Sequence, residues 1–189
     1  MTRRLPEDVT VRSVRADEWS RVRELRLEAL RDPMAKVAFL ETVEQAAGRP
    51  AEEWQTRTAA HAEGSGSAQF VAERHGELIG SLTVIVRAAG EPDYFDRVAD
   101  VDLPTVVGVF VSSSARGLGV IDALLASACE WARARGDREL TLDVHESNLP
   151  ARHSYLRAGF EVRSEFLGPD GRELGMVNEL TSSPHGKAD

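Results

Sequence analysis

Residues 109–125 read Val-Phe-Val-Ser-Ser-Ser-Ala-Arg-Gly-Leu-Gly-Val-Ile-Asp-Ala-Leu-Leu. This stretch decides the fold, because it passes from a buried strand through a glycine turn straight into a helix. The run leading into the turn, residues 105–111, is apolar and rich in β-branched side chains, as a central strand covered on both faces requires. After the turn, Val120, Leu124, Leu125, Ala128, Trp131 and Ala132 fall on one face of a helix that starts near Gly119 and ends at Gly136. Between strand and helix stand Arg116, Gly117 and Gly119. Free N–H groups at a helix start point outward and the helix dipole favours negative charge. Glycines let an anion approach the main chain, and an arginine adds charge-assisted hydrogen bonds. The turn from Ser112 to Ile121 therefore reads as an anion site.

Two familiar phosphate motifs do not account for it. A P-loop needs a lysine after its last glycine, and none follows here. The dinucleotide fingerprint needs a third glycine three residues after the second, where this chain has Asp122, a carboxylate poorly placed beside a pyrophosphate. Further along, Asn148, Ala151, Tyr155, Gly159 and Phe160 form an ungapped N-x-x-A-x-x-x-Y-x-x-x-G-F pattern, and residues 120–147 between the two stretches hold one helix and one strand.

Together the stretches resemble the GNAT superfamily of acetyl-CoA-dependent N-acetyltransferases. Its phosphate motif, R/Q-x-x-G-x-G/A after an apolar strand, is matched at Arg116 and Gly119; Ile121 stands where glycine or alanine is usual, and its side chain either crowds the phosphates or points into the protein. The resemblance implies a GNAT-like α/β (α+β) single domain. Its mixed, mostly antiparallel sheet has about seven strands, with helices on both faces and a splayed parallel pair at the cofactor site. It implies acetyl-CoA as cosubstrate, bound by the backbone of Val109, Phe110 and Val111 and by the turn Arg116, Gly117, Leu118, Gly119, Val120 and Ile121. Asn148 is placed by it at the pantetheine arm or the splayed strand end; read alone the residue is a helix N-cap, and both roles can hold together.

Acetyl transfer from a thioester to an amine needs a neutral nitrogen, a polarised carbonyl and a proton for the departing thiolate. The resemblance assigns the carbonyl to backbone N–H groups around Val109 to Val111 and the proton to Tyr155. A phenol, with a pKa near ~10, is protonated at neutral pH. Read without the resemblance, Tyr155 is an aromatic that packs its helix on the sheet. Family members often carry a glutamate near the start of the 105–111 strand as general base; this chain has none there, and of the nearby Asp100 and Asp102 the expectation falls on Asp102. His145 and His153 bracket the second motif and read as structural or exposed groups. The five histidines show no metal-ligand spacing, so no metal is expected.

Outward from this centre the pattern runs β, α, α, β, β, β, α, β, α, β, β. A strand at residues 9–14 alternates apolar and polar side chains, and a helix follows over 17–31 until Asp32-Pro33 stops it. Pro50 opens a second helix reaching His61; residues 69–73 and 77–86 form a hairpin around Arg74-His75-Gly76. Residues 87–104 are irregular and acidic with Tyr94 and Phe95 embedded, either a functional loop or a surface excursion. Strands at 140–144, 160–166 and 173–180 and a helix at 149–158 complete a domain over residues 1–180, with residues 181–189 expected to be a disordered tail.

The bulk properties agree with one core: 189 residues with 42% hydrophobic content. No apolar run is long enough to span a membrane and the charged N-terminus is no secretory signal, so a cytoplasmic location is expected. The lone Cys129 sits among apolar helix positions as a small buried hydrophobe. With 31 acidic and 23 basic residues the net charge is −8, the wrong sign for nonspecific nucleic acid binding and better suited to a cationic acceptor. The acceptor expected is a small amine or a peptide amine. Homodimers are common among proteins of this kind, which extends here only as analogy. Two rival functions stay open: a non-catalytic acyl-CoA-binding regulatory domain, and a nucleotide-binding module of another fold.

Overall fold

The computed structural model describes residues 4–180, so the expected tail lies outside the described residues. Seven strands, β1 (Val9–Ser13), β2 (Ser67–Arg74), β3 (Glu77–Arg87), β4 (Leu103–Val111), β5 (Glu139–His145), β6 (Glu161–Gly168) and β7 (Gly171–Glu179), form one sheet in the order β1-β2-β3-β4-β5-β7-β6. All neighbours are antiparallel except β4 and β5. The helices are α1 (Trp19–Arg31), α2 (Ala35–Ala38), α3 (Val43–Gly48), α4 (Ala51–Glu63), α5 (Val120–Arg135) and α6 (Leu149–Arg157). No described helix is long and apolar enough to cross a membrane.

Local chemistry explains the boundaries. The β2–β3 hairpin turns on His75 and Gly76, both at positive φ (50° and 82°), the backbone whose twist suits a two-residue connection. α1 stops where Asp32 turns extended before Pro33, and the Asp32 carboxylate takes the Met34 N–H at 2.9 Å. α4 opens after Pro50 and closes on Gly64 at φ 71°. The short helices α2 and α3 fall in residues 33–49, to which the sequence reading assigned no element. α3 begins with a capping box in which Thr42 and Gln45 exchange side-chain and backbone hydrogen bonds of 3.2 and 2.8 Å.

Alternation along the strands sends side chains to two cores. On one face Phe70, Leu82, Leu142 and Met176 pack with Leu124 and Leu125 of α5 and with Phe160. On the other, Val71 and Val14 pack with Val22 and Leu30 of α1 and Trp54 of α4. Tertiary packing therefore covers the left of the sheet twice, while β5 and β7 keep one face for something else.

A buried carboxylate fixes the start of α1. Glu18, 5% exposed, takes two hydrogen bonds from Arg12 (2.7 and 2.6 Å), one from Arg21 (2.6 Å) and one from the Arg15 N–H (2.9 Å). Hydrogen bonding from Arg12, working against desolvation, holds its pKa down to about 2. A depressed carboxylate stabilises the fold above its unfolded pKa, near 4.5, and loses that contribution as pH falls through the folded value. Glu18→Gln should therefore lower stability by about 1–2 kcal/mol at neutral pH. The gap from the parent should close as pH falls from 4.5 towards 2, read from urea midpoints across pH; a gap that does not vary with pH would rule the account out.

Candidate active site at the splayed strands

The site begins where two parallel strands stop pairing. β4 and β5 match only at Thr105–Thr141 and Val106–Leu142, and β4 then runs on to Val111 without a β5 partner. The crotch is pinned by Thr105 Oγ1 against Thr141 Oγ1 at 2.9 Å, and Thr141 Oγ1 donates to the Pro104 carbonyl at 3.1 Å. On the other edge of β4 the ladder with β3 slips: Ser81 faces Phe110 and Thr83 faces Val107, so Leu82 stands opposite both Gly108 and Val109. This is a β-bulge, and Gly108 supplies the positive φ (63°) it needs. A bulge bends and twists its strand, which turns residues 108–111 away from β5. The lone glycine inside an otherwise β-branched run was the sequence signal for it, and the sequence reading did not use it.

Beyond β4 the Ser112 N–H holds the Ile79 carbonyl at 2.9 Å and a short turn, Ser113–Ala115, leads to Arg116. Gly117 and Gly119 take φ of 77° and 82°, conformations closed to most side chains, and α5 starts at Val120 with its first N–H groups facing the turn. Arg116, 48% exposed, donates to the Val111 carbonyl at 3.2 Å and pairs with Asp32. Ile121, the departure from the family pattern, lies partly buried with its side chain against the α5 core, which leaves its backbone N–H at the helix start. The nearby Asp122 carboxylate is held by Arg157 at 3.2 Å, which reduces its repulsion of an anion here. Helix dipole, positive-φ glycines and an adjacent guanidinium fit a pyrophosphate.

α6 brings the second motif alongside. Asn148 is buried and accepts the Ala151 N–H at 3.3 Å, so it is the N-cap of α6 while also facing the cleft. Two turns on, Tyr155 is 6% exposed with its ring 6.2 Å from that of Phe160. Burial alone raises its pKa well above the ordinary phenol value, so the hydroxyl keeps its proton at any physiological pH. Tyr155 both packs the helix and lines the cleft, so neither sequence reading excludes the other.

A cleft of about 1290 Å³ joins these parts. Of the expected cofactor residues every one but Leu118 lines it; Leu118 packs against the core instead. Asp102, the expected proton acceptor, is not among the lining residues: it is exposed, and accepts the Ala89 N–H at 3.0 Å as a loop cap. Its short side chain is committed to the loop that lifts it off the sheet, so the base role has no geometric footing.

The acids that do reach the cleft come from that loop and from β5 and β7. Asp93 organises residues 88–102 by accepting the N–H groups of Phe95 (2.8 Å) and Arg97 (2.9 Å), and Arg97 bridges Asp93 to Asp143. Arg97 also lies 3.9 Å over the Phe166 ring, which Phe95 meets edge-on at 4.9 Å. The loop is thus fastened across the open face of β5 and β7. Burial pushes the Asp143 carboxyl up despite Arg97, and burial likewise pushes Glu173 up. Glu173 differs in taking no hydrogen bond or ion pair from any described residue. Neither acid was picked out in the sequence, because strand alternation does not say which loop covers them. His145 has both ring nitrogens engaged, by Ser147 Oγ (2.7 Å) and the Asp170 carbonyl (3.2 Å), and His153 is exposed on α6. Cys129 is buried with its thiol pushed up by burial, the inert state expected of it.

Comparison with known proteins bears on this geometry. The pattern of the acetyltransferase (GNAT) family matches residues 19–160. The chain is 36% identical over 124 residues to a mycothiol acetyltransferase of Cellulomonas flavigena, covering 61% of this chain and 35% of that protein. It is 35% identical over 85 residues to an aminoglycoside N(6′)-acetyltransferase type 1 of Klebsiella aerogenes, covering 45% and 53%. The chain thus spans about a third to about half of the curated relatives it matches. A GNAT-family acetyltransferase of Streptococcus pneumoniae has the same fold at 18% identity, with a TM-score of 0.71 over 90% of this chain and 98% of that one. Splayed strands, phosphate turn and matched pattern agree: this chain belongs to the GNAT acetyltransferase family, acyltransferases that draw on acetyl-CoA.

Proposed function

We propose that this protein moves the acetyl group of acetyl-CoA to a primary amine of a small molecule or peptide by direct attack. One observation carries the reading: the gap between β4 and β5 is bordered by the phosphate turn, by the bulged strand end and by Tyr155, and opens to unpaired acid at Glu173. Bound acetyl-CoA supplies an activated thioester. The phosphate turn at Arg116 to Ile121 holds its anionic end through backbone donors and the guanidinium. Of the N–H groups over residues 109–111, those that point away from β3 and into the gap left by the missing β5 ladder are the donors available to a thioester carbonyl and to the amides of the pantetheine arm. Asn148 orders the end of β5 opposite them.

The proton balance needs two groups. Tyr155, kept neutral by burial, donates its proton to the thiolate as the carbon–sulfur bond breaks, and is reprotonated by the second N–H proton that the attacking nitrogen sheds on becoming an amide. Glu173, raised by burial and held by no hydrogen bond or ion pair from a described residue, takes the proton of the acceptor ammonium, directly or through water, before the nitrogen attacks. It replaces Asp102 in that role. The relatives named for mycothiol and for an aminoglycoside support a small-molecule acceptor.

The test is thiol release from acetyl-CoA across a panel of amines. Tyr155→Phe should lower kcat by roughly 10²-fold, the usual scale for a general acid, and leave the KM for acetyl-CoA within a few-fold. Release of thiol at the parental rate would exclude the acid role. Saturable CoA binding without turnover of any amine would instead favour an acyl-CoA-binding regulatory domain, and stronger thermal stabilisation by ATP or NAD would favour a nucleotide module.

The pH profile separates the bases. Only the carboxylate of Glu173 accepts a proton, so kcat should rise with pH through its upward-shifted pKa. Glu173→Gln should cut kcat by about 10²-fold and erase that acidic limb, whereas Asp102→Asn should leave the profile unchanged. The opposite pattern would restore Asp102.

A further inference from the structure

The cleft that Glu173 lines also carries a group of cations. Arg26 of α1, Lys36 of α2, and Arg49 and Arg57 at α4 line it, in a chain whose net charge is −8. The acids beside them are already taken. Glu41 accepts Arg26 Nε at 3.0 Å and pairs through its other oxygen with Arg49; Asp32 pairs with Arg116. Arg57 makes no hydrogen bond or ion pair with any described residue. Burial lowers the pKa of both Arg26 and Arg57, and Arg49 repels each of them.

The placement is directed as well as charged. Arg26 is steadied by the Phe39 ring, 4.4 Å from its guanidinium carbon. Its Nη1 comes to within 3.9 Å of where a Cβ on Gly108 would stand. A guanidinium thus reaches the bulge that frees the transfer end of β4. Across the cleft, Arg87, Asp93, Arg97 and Asp143 form a chain of two cations and two anions, linked by Arg87–Asp93 at 3.3 Å and Arg97–Asp93 at 2.6 Å. Among the described residues, Glu173 of β7 and Arg57 of α4 line the cleft with no side-chain hydrogen bond or ion pair, as do Lys36 and the Asp170 carboxylate.

We propose that the acceptor is a small zwitterionic amine, one that carries a carboxylate or phosphonate, with its oxyanion on Arg57 and the free edge of Arg26 and its amine towards Glu173. This rests on the acetyl-transfer reading. It reverses the sequence expectation of a cationic acceptor, which followed from net charge, because the sum over the surface does not report the sign of one part of the cleft. A planar guanidinium takes two oxygens of a carboxylate or phosphonate at once, and repulsion among the arginines falls when an anion enters. A polycation would meet repulsion there.

Matched amines decide it. Phenylalanine, phenylalaninamide and phenethylamine vary the carboxylate on one skeleton; 2-aminoethylphosphonate against ethanolamine does so for the phosphonate; spermidine and kanamycin are the polycations. The anionic member should exceed its uncharged partner in kcat/KM by about tenfold or more, the scale of one charge-assisted contact. Which skeleton shows the larger ratio separates carboxylate from phosphonate. Arg57→Gln should raise KM for the anionic member about tenfold, move kcat less than about twofold, leave the uncharged partner unchanged, and be partly rescued by Arg57→Lys.

Equal rates within each pair, preference for spermidine or kanamycin, or an unchanged ratio in Arg57→Gln would overturn the proposal. If no amine is acetylated, the transfer reading fails by itself. The anion reading is then decided by thermal shift with CoA present: phenylalanine should stabilise the protein more than its amide, and Arg57→Gln should abolish the difference. No difference in the parent protein overturns it.

Discussion

The two-residue pairing between β4 and β5 is the constraint on which the rest of the site depends. Parallel neighbours in a sheet normally share a ladder along their length, and a buried main-chain group left without a partner costs about 1–3 kcal/mol. Here the ladder ends after Thr105–Thr141 and Val106–Leu142, and the bulge at Gly108 makes the divergence permanent rather than a fluctuation. An extended amide-bearing chain laid in the gap would restore the missing hydrogen bonds. The defect in the sheet is in this sense the recognition element, and the phosphate turn lies just beyond the open end of the same strand.

The two cores explain how a sheet can carry such a gap and stay rigid. α5 and α6 pack on one face with Leu124, Leu125 and Phe160 fully buried, and α1 and α4 pack on the other through Leu30 and Trp54. Each face of the sheet is thus held by its own layer, and α5 packs across strands on both sides of the gap. The face of β5 and β7 away from α5 is covered by the loop that Asp93 and Arg97 fasten down and, at β5, by the short helix α2. That thin cover is why acids and an aromatic cluster meet the cleft there.

Charge is arranged around the gap by pairing. Taking an ion out of water costs several kcal/mol unless a partner answers it, which accounts for the Arg87–Asp93–Arg97–Asp143 chain and for Glu41 between Arg26 and Arg49. Against this background the groups left over stand out. Tyr155 is driven to its neutral form by burial alone, Glu173 is pushed towards neutrality by burial against the pull of His145 and Arg97, and Arg57, exposed, lies between repulsion from Arg49 and attraction to Glu41 and Glu53. The same low-polarity surroundings that keep the phenol protonated make Glu173 a stronger base than a solvated carboxylate. The opposite proton roles proposed for the two residues need nothing beyond burial.

The sequence by itself determined all the elements but α2 and α3, and the glycine turn into α5 that lines the cleft. Local rules carry those: alternation marked the strands, periodicity marked α1, α4 and α5, proline and glycine marked most ends, and a helix start with positive-φ glycines is built from neighbours in the chain. Asn148 and Tyr155 were legible for the same reason, seven residues apart on one short helix. The acceptor end was not. Glu173, Asp143, Arg26 and Arg57 lie on four different elements. Only the sheet order, which inserts β7 between β5 and β6, and the loop across it bring the acids to the gap, while α1 and α4 bring the arginines to the same cleft. Asp102 was chosen for its nearness in sequence to β4; it directly precedes Leu103, where that strand begins, and its carboxylate turns to the loop as a cap on the Ala89 N–H. Ile121 was settled by the same kind of decision: whether a side chain faces a phosphate or a core depends on the rotation of α5 against the sheet, which no local pattern records and tertiary packing alone selects.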